Sequence, residues 1–459
     1  MTLIKSISGI RGTIGNKPGE NLTPIDIAKF TAAFAATMIK DQPDRKLKFV
    51  VGRDARISGP MVENIVVSTL SGMGIDVINT GLSTTPTVEM AVINLKADGG
   101  VIITASHNPK QWNALKLLNG KGEFISGSEG EEVLKLAENE NIVFCDVDDL
   151  GKIENNTTTI DDHIKQILEL ELIDKEIIQK ANFKVAVDAV NSTGGISIPP
   201  LLRSLGVKHI VELYCEPTGE FPHNPEPLAE NLSEICEVVK TEKVDVGIVV
   251  DPDVDRLALV MENGELFGEE YTLVAVADYI LQSKKGNTVS NLSSTRALRD
   301  VTEKAGGNYT ASAVGEVNVV EMMKEMNAVI GGEGNGGVIY PELHYGRDAL
   351  VGIALILTYL AKRNISLSEL RKEYTDYRVS KNRIDLTDNM DVTAIYEKVK
   401  AHMSEFPILT IDGVKIDFPD GWVHLRTSNT EPIMRVYAES TSDEKAQEYA
   451  DSVIRLIMD

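Results

Sequence analysis

The sequence predicts an α/β fold whose sheets are mostly parallel. Short β-branched apolar runs recur along the chain, each stopping abruptly in a loop of Gly, Asp, Asn or Ser. A helix-like segment follows such a loop. The runs are continuously apolar, which suits strands covered on both faces and joined by crossover helices. They lie at Phe49–Asp54, Val101–Ser106, Val185–Asp188, Gly247–Asp251 and Ala328–Glu333. Apolar periodicity over Ile25–Met38, Met61–Leu70 and Asp162–Leu172 supplies helices. The run Ala349–Ala361 is too short for the about 20 residues a bilayer needs and reads as a buried helix. Trp422–Arg426 and Met434–Glu439 read as strands, and Ser442–Ile457 as a closing helix, so a small α+β terminal domain is expected. The polar stretch Asp146–Asp161 reads as a linker, with further breaks at 251–263 and 366–383.

Size and charge narrow the function. The chain has 459 residues, 46 basic and 69 acidic, a net charge of −23. At about 100–200 residues per domain, that is two to four domains. With 42% apolar and 25% charged residues the composition is that of a globular chain. So acidic a surface disfavours nucleic acid and anionic membranes as partners. Cys145, Cys215 and Cys236 show neither metal-ligand spacing nor an even count. The N-terminal residues carry no secretory apolar stretch, and a cytoplasmic location is expected.

Four polar clusters could carry chemistry, three of them at or just beyond the ends of these runs, where ligands bind in such sheets. In Asp251-Pro252-Asp253-Val254-Asp255-Arg256, carboxylates at alternate positions can converge on one hard cation. An EF-hand loop is disfavoured by Arg256 at its glycine position, although Glu262 falls at its twelfth; a phosphatase aspartate pair and a solvated acidic turn are the other readings. In Thr104-Ala105-Ser106-His107-Asn108-Pro109, followed by Asn113 and Lys116, the serine can carry a transferable group, or simply cap a helix. Gly332-Glu333-Gly334-Asn335-Gly336-Gly337 has dinucleotide-fingerprint spacing but opens no helix; one acid and one amide among glycines suit sugar hydroxyls, and a ligand-free turn is the alternative. Arg426-Thr427-Ser428-Asn429-Thr430-Glu431-Pro432 is a possible phosphate cradle or an ordinary hairpin turn. No triphosphate-binding Gly-Lys-Ser/Thr sequence occurs.

Taken in order, with Ser8-Gly9-Ile10-Arg11-Gly12 in front, these clusters resemble the α-D-phosphohexomutase superfamily over essentially the whole chain. The resemblance implies four domains around a central cleft, three similar α/β domains and a C-terminal α+β domain. The corresponding segments are 1–153, 154–253, 254–367 and 368–459. It implies Ser106 as the phosphorylated serine and Asp251, Asp253 and Asp255, with Ser106, as the magnesium site. Glu333 and Asn335 fall in the sugar loop, and Arg426, Ser428, Asn429 and Thr430 in the phosphate loop. Three departures touch sugar recognition: Asn335 and Gly337 replace Ser and His, Ala114 replaces Gly after Asn113, and Val314-Gly315-Glu316-Val317-Asn318 lacks the His often found after its Gly. The combination resembles the archaeal-like phosphoglucosamine mutase branch, with phosphoglucomutase/phosphomannomutase as the alternative.

Charge counting is consistent with this. A phosphoserine of about −2 and three aspartates make about −5, and one dication leaves about −3. Arg11, Lys116 and Arg256 supply three positive charges, with His107 a fourth if protonated. Phospho-Ser106 would then give its phosphoryl group to a hexose monophosphate, and the bisphosphorylated sugar would turn over and return its other phosphate. Lys116, with Arg11 or His107, would manage the proton, and Arg256 would help bind the substrate. A magnesium phosphatase with an aspartate nucleophile and a non-catalytic phosphosugar-binding protein are the rival readings. Monomer and homodimer are both compatible with the sequence.

Overall fold

The computed structural model describes residues 2–6, 9–42, 45–138, 142–387, 390–428 and 433–458. The chain divides into two compact units: Met1–Thr272 with Gly336–Ser368, and Leu273–Asn335 with Glu369–Asp459.

The first unit holds two sheets. One has seven strands, in the order Ile4–Ser6, Gly9–Thr13, Trp112–Asn119, Gly99–Ile103, Lys48–Arg53, Asp76–Leu82, Ile153–Asn155. Its last four strands run parallel, and its first three are antiparallel to their neighbours. Alternate residues of one strand feed different cores. Phe49 and Val51 join one cluster with helices Pro24–Asp41 and Gly59–Gly72, whereas Val50 joins another with helix Thr85–Asn94. Both faces are covered, which is why the run is continuously apolar. Helix Pro24–Asp41 begins at a reciprocal cap between Thr23 and Asp26.

The second sheet has the order Leu257–Met261, Val246–Val250, Lys184–Asp188, His209–Leu213, the first pair antiparallel and the rest parallel. Helix Ala349–Arg363 belongs to the same unit and is buried from Ala349 to Ala361, as its run of apolar residues demands.

The second unit contains parallel strands Tyr309–Ser312, Asn287–Asn291 and Ala328–Glu333. It also contains a five-stranded antiparallel sheet in the order Arg378–Asp385, Ile433–Ser440, Gly421–Thr427, Val414–Phe418, Ile408–Leu409. Helices Val392–His402 and Asp443–Met458 cover that sheet through Val399, Ala450 and Val453. The architecture is therefore α/β with mixed, mostly parallel sheets and an α+β C-terminal part.

Three expectations differ from the structure. The stretch read as a linker carries strand Ile153–Asn155, which pairs with Asp76–Leu82, so the expected boundary at 153/154 falls within a strand. The boundary expected at 253/254 falls inside the second sheet, because the chain turns there and Leu257–Met261 pairs back on Val246–Val250. Helix Thr159–Leu168 ends before Leu172. All three cysteines are free thiols. No described helix is long and apolar enough to cross a membrane.

Candidate functional site

Ser106 sits in the loop between strands Gly99–Ile103 and Trp112–Asn119, in left-handed backbone with φ 48°. Its amide donates to Thr104 Oγ1 at 2.9 Å, and Thr104 Oγ1 donates to Asp54 Oδ2 at 2.7 Å. Beneath the loop lies Arg56, its side chain fully buried. Its guanidinium donates to the carbonyls of Ser106, Asn108 (2.7 Å), Pro109 (2.8 Å) and Trp112 (3.1 Å), and to Asp54 Oδ2 (3.0 Å). One arginine thus fixes the loop that presents the serine. Burial pushes the Asp54 carboxyl up, against the pull of Arg56 and Thr104.

The aspartate cluster lies in the turn between Val246–Val250 and Leu257–Met261. Val254 occupies φ 64°, a conformation that costs a β-branched residue about 1–3 kcal/mol. Asp251 offsets this by accepting the amides of Asp255 and Arg256, both at 3.2 Å, through Oδ1. Ser192 and Thr193 hydroxyls donate to the Pro252 carbonyl at 2.7 and 2.8 Å.

The two loops meet. Ser106 Oγ donates to Asp251 Oδ2 at 2.7 Å. Lys116 Nζ donates to Asp253 Oδ2 (2.7 Å) and Asp255 Oδ2 (3.2 Å); Thr85 Oγ1 donates to Asp253 Oδ2 (2.6 Å), and Arg347 to Asp255 Oδ2 (2.8 Å). The three carboxylates are buried, with one oxygen from each within 4.8 Å of the others. Asp253 Oδ1 and Asp255 Oδ1 are buried without a hydrogen-bond partner. Converging carboxylate oxygens with unused lone pairs fit a hard dication. Burial, then the like charges of Asp253 and Asp255, push Asp251 well above the ordinary carboxylate range. Burial acts on Asp253 the same way, but the Lys116 ammonium and the Thr85 hydroxyl hold it low. Lys116 is pushed up by those two aspartates despite its own burial.

His107 Nδ1 lies 3.3 Å from Ser106 Oγ, and its Nε2 is 3.9 Å from Glu226. Burial, then Arg256 and Arg11, hold His107 well below its ordinary value. That shift disfavours the protonated ring, and Arg347 brings a further positive charge to the cluster. Arg256 approaches Glu226 at 3.6 Å and Asp255 at 3.9 Å, and Arg11 donates to the Asn108 side chain at 2.8 Å. Strand Gly9–Thr13, which carries Arg11, needs glycine at position 9: with φ 116°, an added Cβ would lie 2.2 Å from the Leu115 carbonyl oxygen. Ser8 lies outside the described residues.

The segment bearing Glu226 is anchored by His223. Its Nδ1 faces the Asn224 carbonyl at 2.8 Å and its Nε2 faces Asp188 at 3.1 Å, so both nitrogens donate and the ring is an imidazolium. Burial opposes this charge, but Asp188 raises the histidine above its ordinary value. A raised folded-state value means the stabilisation is complete below about pH 6.5 and fades as pH climbs through that value. His223→Gln should therefore lower stability by about 1 kcal/mol at about pH 6 and by much less at about pH 9, read as the change in Tm against the unaltered chain.

Of the remaining motifs, residues 332–335 and 426–432 belong to the second unit, whereas Gly336 and Gly337 belong to the first. Glu333 Oε1 accepts from Asn291 Nδ2 (2.8 Å) and the Gly315 amide (3.3 Å), and the Gly334 amide donates to Ser294 (3.0 Å). Next to Gly315, the Val314 amide donates to Asp412 Oδ2 at 3.0 Å, and Arg426 pairs with that same oxygen at 3.6 Å. Asp412 thus links Val314, and through Gly315 the Glu333 side chain, to Arg426. Ser428 donates its amide to the Ile433 carbonyl at 2.9 Å, and Asn335 ends this part of the unit. Asn429 and Thr430 lie outside the described residues. Burial pushes His424 down to about 4, and it hydrogen-bonds Ser293 at 2.9 Å.

Sequence reasoning had found Ser106, His107, Lys116, Arg11, Arg256 and the three aspartates, and the structure brings them together in the first unit. It missed Arg56, Thr85, Glu226 and Arg347 there, and Asp412 in the second unit. Of these only Asp412 carried a local signal, the turn-forming pair Asp412-Gly413 before a strand.

Models of phosphoglucomutase/phosphomannomutase domains match the chain end to end: alpha/beta/alpha domain I at residues 3–143, II at 161–264, III at 268–377 and the C-terminal domain at 382–456. A phosphoglucomutase/phosphomannomutase of Thermococcus kodakarensis is 37% identical over 98% of this chain and 97% of its own length. A phosphoglucosamine/phosphogalactosamine mutase of Sulfurisphaera tokodaii is 32% identical over 98% of each. Among solved structures, a phosphoglucomutase/phosphomannomutase family protein of Burkholderia thailandensis superposes with a TM-score of 0.86 at 25% identity, covering 99% of this chain and 97% of its own. The Aspergillus fumigatus N-acetylphosphoglucosamine mutase, solved with GlcNAc-6P and magnesium, shares the fold at TM-score 0.57 and 13% identity, over 95% of this chain and 97% of its own. On these matches the chain belongs to the phosphoglucomutase/phosphomannomutase family and is a phosphohexomutase, an intramolecular phosphotransferase.

Proposed function

We propose that the enzyme interconverts hexose 6-phosphates and hexose 1-phosphates through phospho-Ser106 and a bisphosphorylated sugar, with glucosamine 6-phosphate to glucosamine 1-phosphate as its main reaction. The observation that carries this reading is the 2.7 Å contact between Ser106 Oγ and Asp251, beside two carboxylate oxygens that make no hydrogen bond. In the forward step the bond from phosphorus to Ser106 Oγ breaks, a bond to the sugar oxygen forms, and the hydroxyl proton leaves for a neighbouring base. The second step reverses this with the other phosphate.

His107 lies within reach of Oγ and is placed to carry the proton. Lys116 and Arg347, fixed on the aspartates, supply positive charge near the transferring group, and Arg11 and Arg256 add to it. Asp251, Asp253 and Asp255, with Ser106, would hold Mg2+, which supplies charge neutralisation when bound. Glu333 and Asn335 would take sugar hydroxyls, and Arg426, Ser428, Asn429 and Thr430 the phosphate that is not reacting.

The glucosamine assignment is supported by relatives named as phosphoglucosamine mutases, including those of Pyrococcus horikoshii and Methanosarcina barkeri. The Thermococcus relative favours glucose and mannose phosphates as the second reading. The test compares kcat/KM on glucosamine, glucose and mannose phosphates, using protein whose Ser106 phosphorylation is verified by mass spectrometry. Glucosamine phosphate should lead by about tenfold or more. A lead for glucose or mannose phosphate selects the second reading, and release of inorganic phosphate without isomerisation overturns both.

A further inference from the structure

A second cluster of metal-ligating side chains, unused by the proposed chemistry, lies in the first unit. Glu89, His163, His344 and Asp348 are 1%, 0%, 4% and 0% exposed. His163 Nε2 and His344 Nε2 both point at one oxygen, Asp348 Oδ2, at 3.0 and 3.4 Å. The other nitrogen of each ring is backed by an oxygen: Thr87 Oγ1 lies 3.0 Å from His163 Nδ1, and Glu89 Oε2 lies 3.4 Å from His344 Nδ1. The second carboxylate oxygen of Asp348 is occupied elsewhere, accepting the Leu350 and Val351 amides at 2.8 and 3.3 Å.

This is the arrangement of a ligated histidine pair with its outer support. Two Nε2 atoms and a carboxylate oxygen converge, with Thr87 Oγ1 behind the Nδ1 of His163 and Glu89 near the Nδ1 of His344. The separations of 3.0 and 3.4 Å match the edge of about 3.3 Å expected between ligands of a tetrahedral ion with bonds of about 2.0–2.1 Å. Position 346 is shaped to permit the approach: a Cβ on Gly346 would lie 1.9 Å from Glu89 Oε2 and 2.9 Å from His344 Cε1.

We propose that His163, His344 and Asp348 form a second metal site, for a borderline dication of the zinc class. Imidazole nitrogens select zinc or cobalt over magnesium, whereas the all-oxygen aspartate triad has the opposite preference. The site joins helices Thr85–Asn94, Thr159–Leu168 and Ala349–Arg363. Its neighbours along the chain serve the other site, since Thr85 holds Asp253 and Arg347 holds Asp255. An ion there braces the supports of the aspartate triad without touching the substrate.

The experiment uses the full chain, purified, stripped with a chelator and dialysed against zinc chloride in excess magnesium. Bound zinc is counted by inductively coupled plasma mass spectrometry, with cobalt substitution as an optical readout. About one zinc per chain should remain in the unaltered protein and in Asp253→Asn, and be lost in His163→Gln and His344→Gln. Cobalt should give the strong visible bands of tetrahedral nitrogen and oxygen ligation. Zinc should raise Tm in the unaltered chain and leave it unmoved in the histidine variants. The proposal is overturned if the unaltered chain retains no zinc and shows no such bands, or if the histidine variants retain as much zinc as it does. Should those variants fail to fold, the cobalt spectrum of the unaltered chain decides alone.

Discussion

Ser106→Ala should lower mutase turnover by more than about 10³-fold, because the oxygen proposed to carry the phosphoryl group is gone. The fold should survive. The substitution removes one hydrogen bond, from Oγ to Asp251 Oδ2, and leaves a buried acceptor short of a donor, a cost of about 1–3 kcal/mol. The loop is held through the backbone, by Thr104 on the Ser106 amide and Arg56 on its carbonyl, and neither contact needs the side chain. Turnover by coupled assay, together with thermal unfolding and mass spectrometry of residue 106, checks this. Near-normal activity in the variant would end the phosphoserine mechanism.

Arg56→Lys should damage stability and activity together. The guanidinium satisfies four backbone carbonyls and one carboxylate from a fully buried position. A lysine ammonium is a single point with three donors and cannot span that set. Asp54 would keep its charge with a poorer partner, and several carbonyls of the 106–112 loop would be orphaned. Breaking a buried pair of this kind costs about 3–5 kcal/mol. Urea unfolding should show that loss in the first unit. The folded fraction should turn over slowly, because Ser106 is no longer fixed against Asp251. A variant with unchanged stability would show that the loop is held by other contacts.

What could be read from the chain depended on where each signal resides. The strand at 48–53 was legible because Phe49, Val50 and Val51 face two different cores, and that leaves an unbroken apolar run. The aspartate and serine motifs were legible because their chemistry is packed into six consecutive residues each. Strand Ile153–Asn155 was not, since it is an exposed edge strand whose residues carry no apolar pattern. Leu257–Met261 is apolar throughout, yet the acidic turn before it resembled a boundary when it is a hairpin within one sheet. Arg56 and Arg347 were invisible for a different reason. Asp54 aside, the partners of Arg56 lie about fifty residues away and that of Arg347 about ninety, and nothing in their immediate surroundings distinguishes them from surface arginines. The same holds for His163 and His344, which come together only when helix Thr159–Leu168 packs against the segment before helix Ala349–Arg363.

Lys116, Arg347 and Arg256 bring three cationic groups to Asp253 and Asp255. Two of the three carboxylates therefore have charged partners from the chain itself, and stripping the protein with a chelator should leave the turn closed.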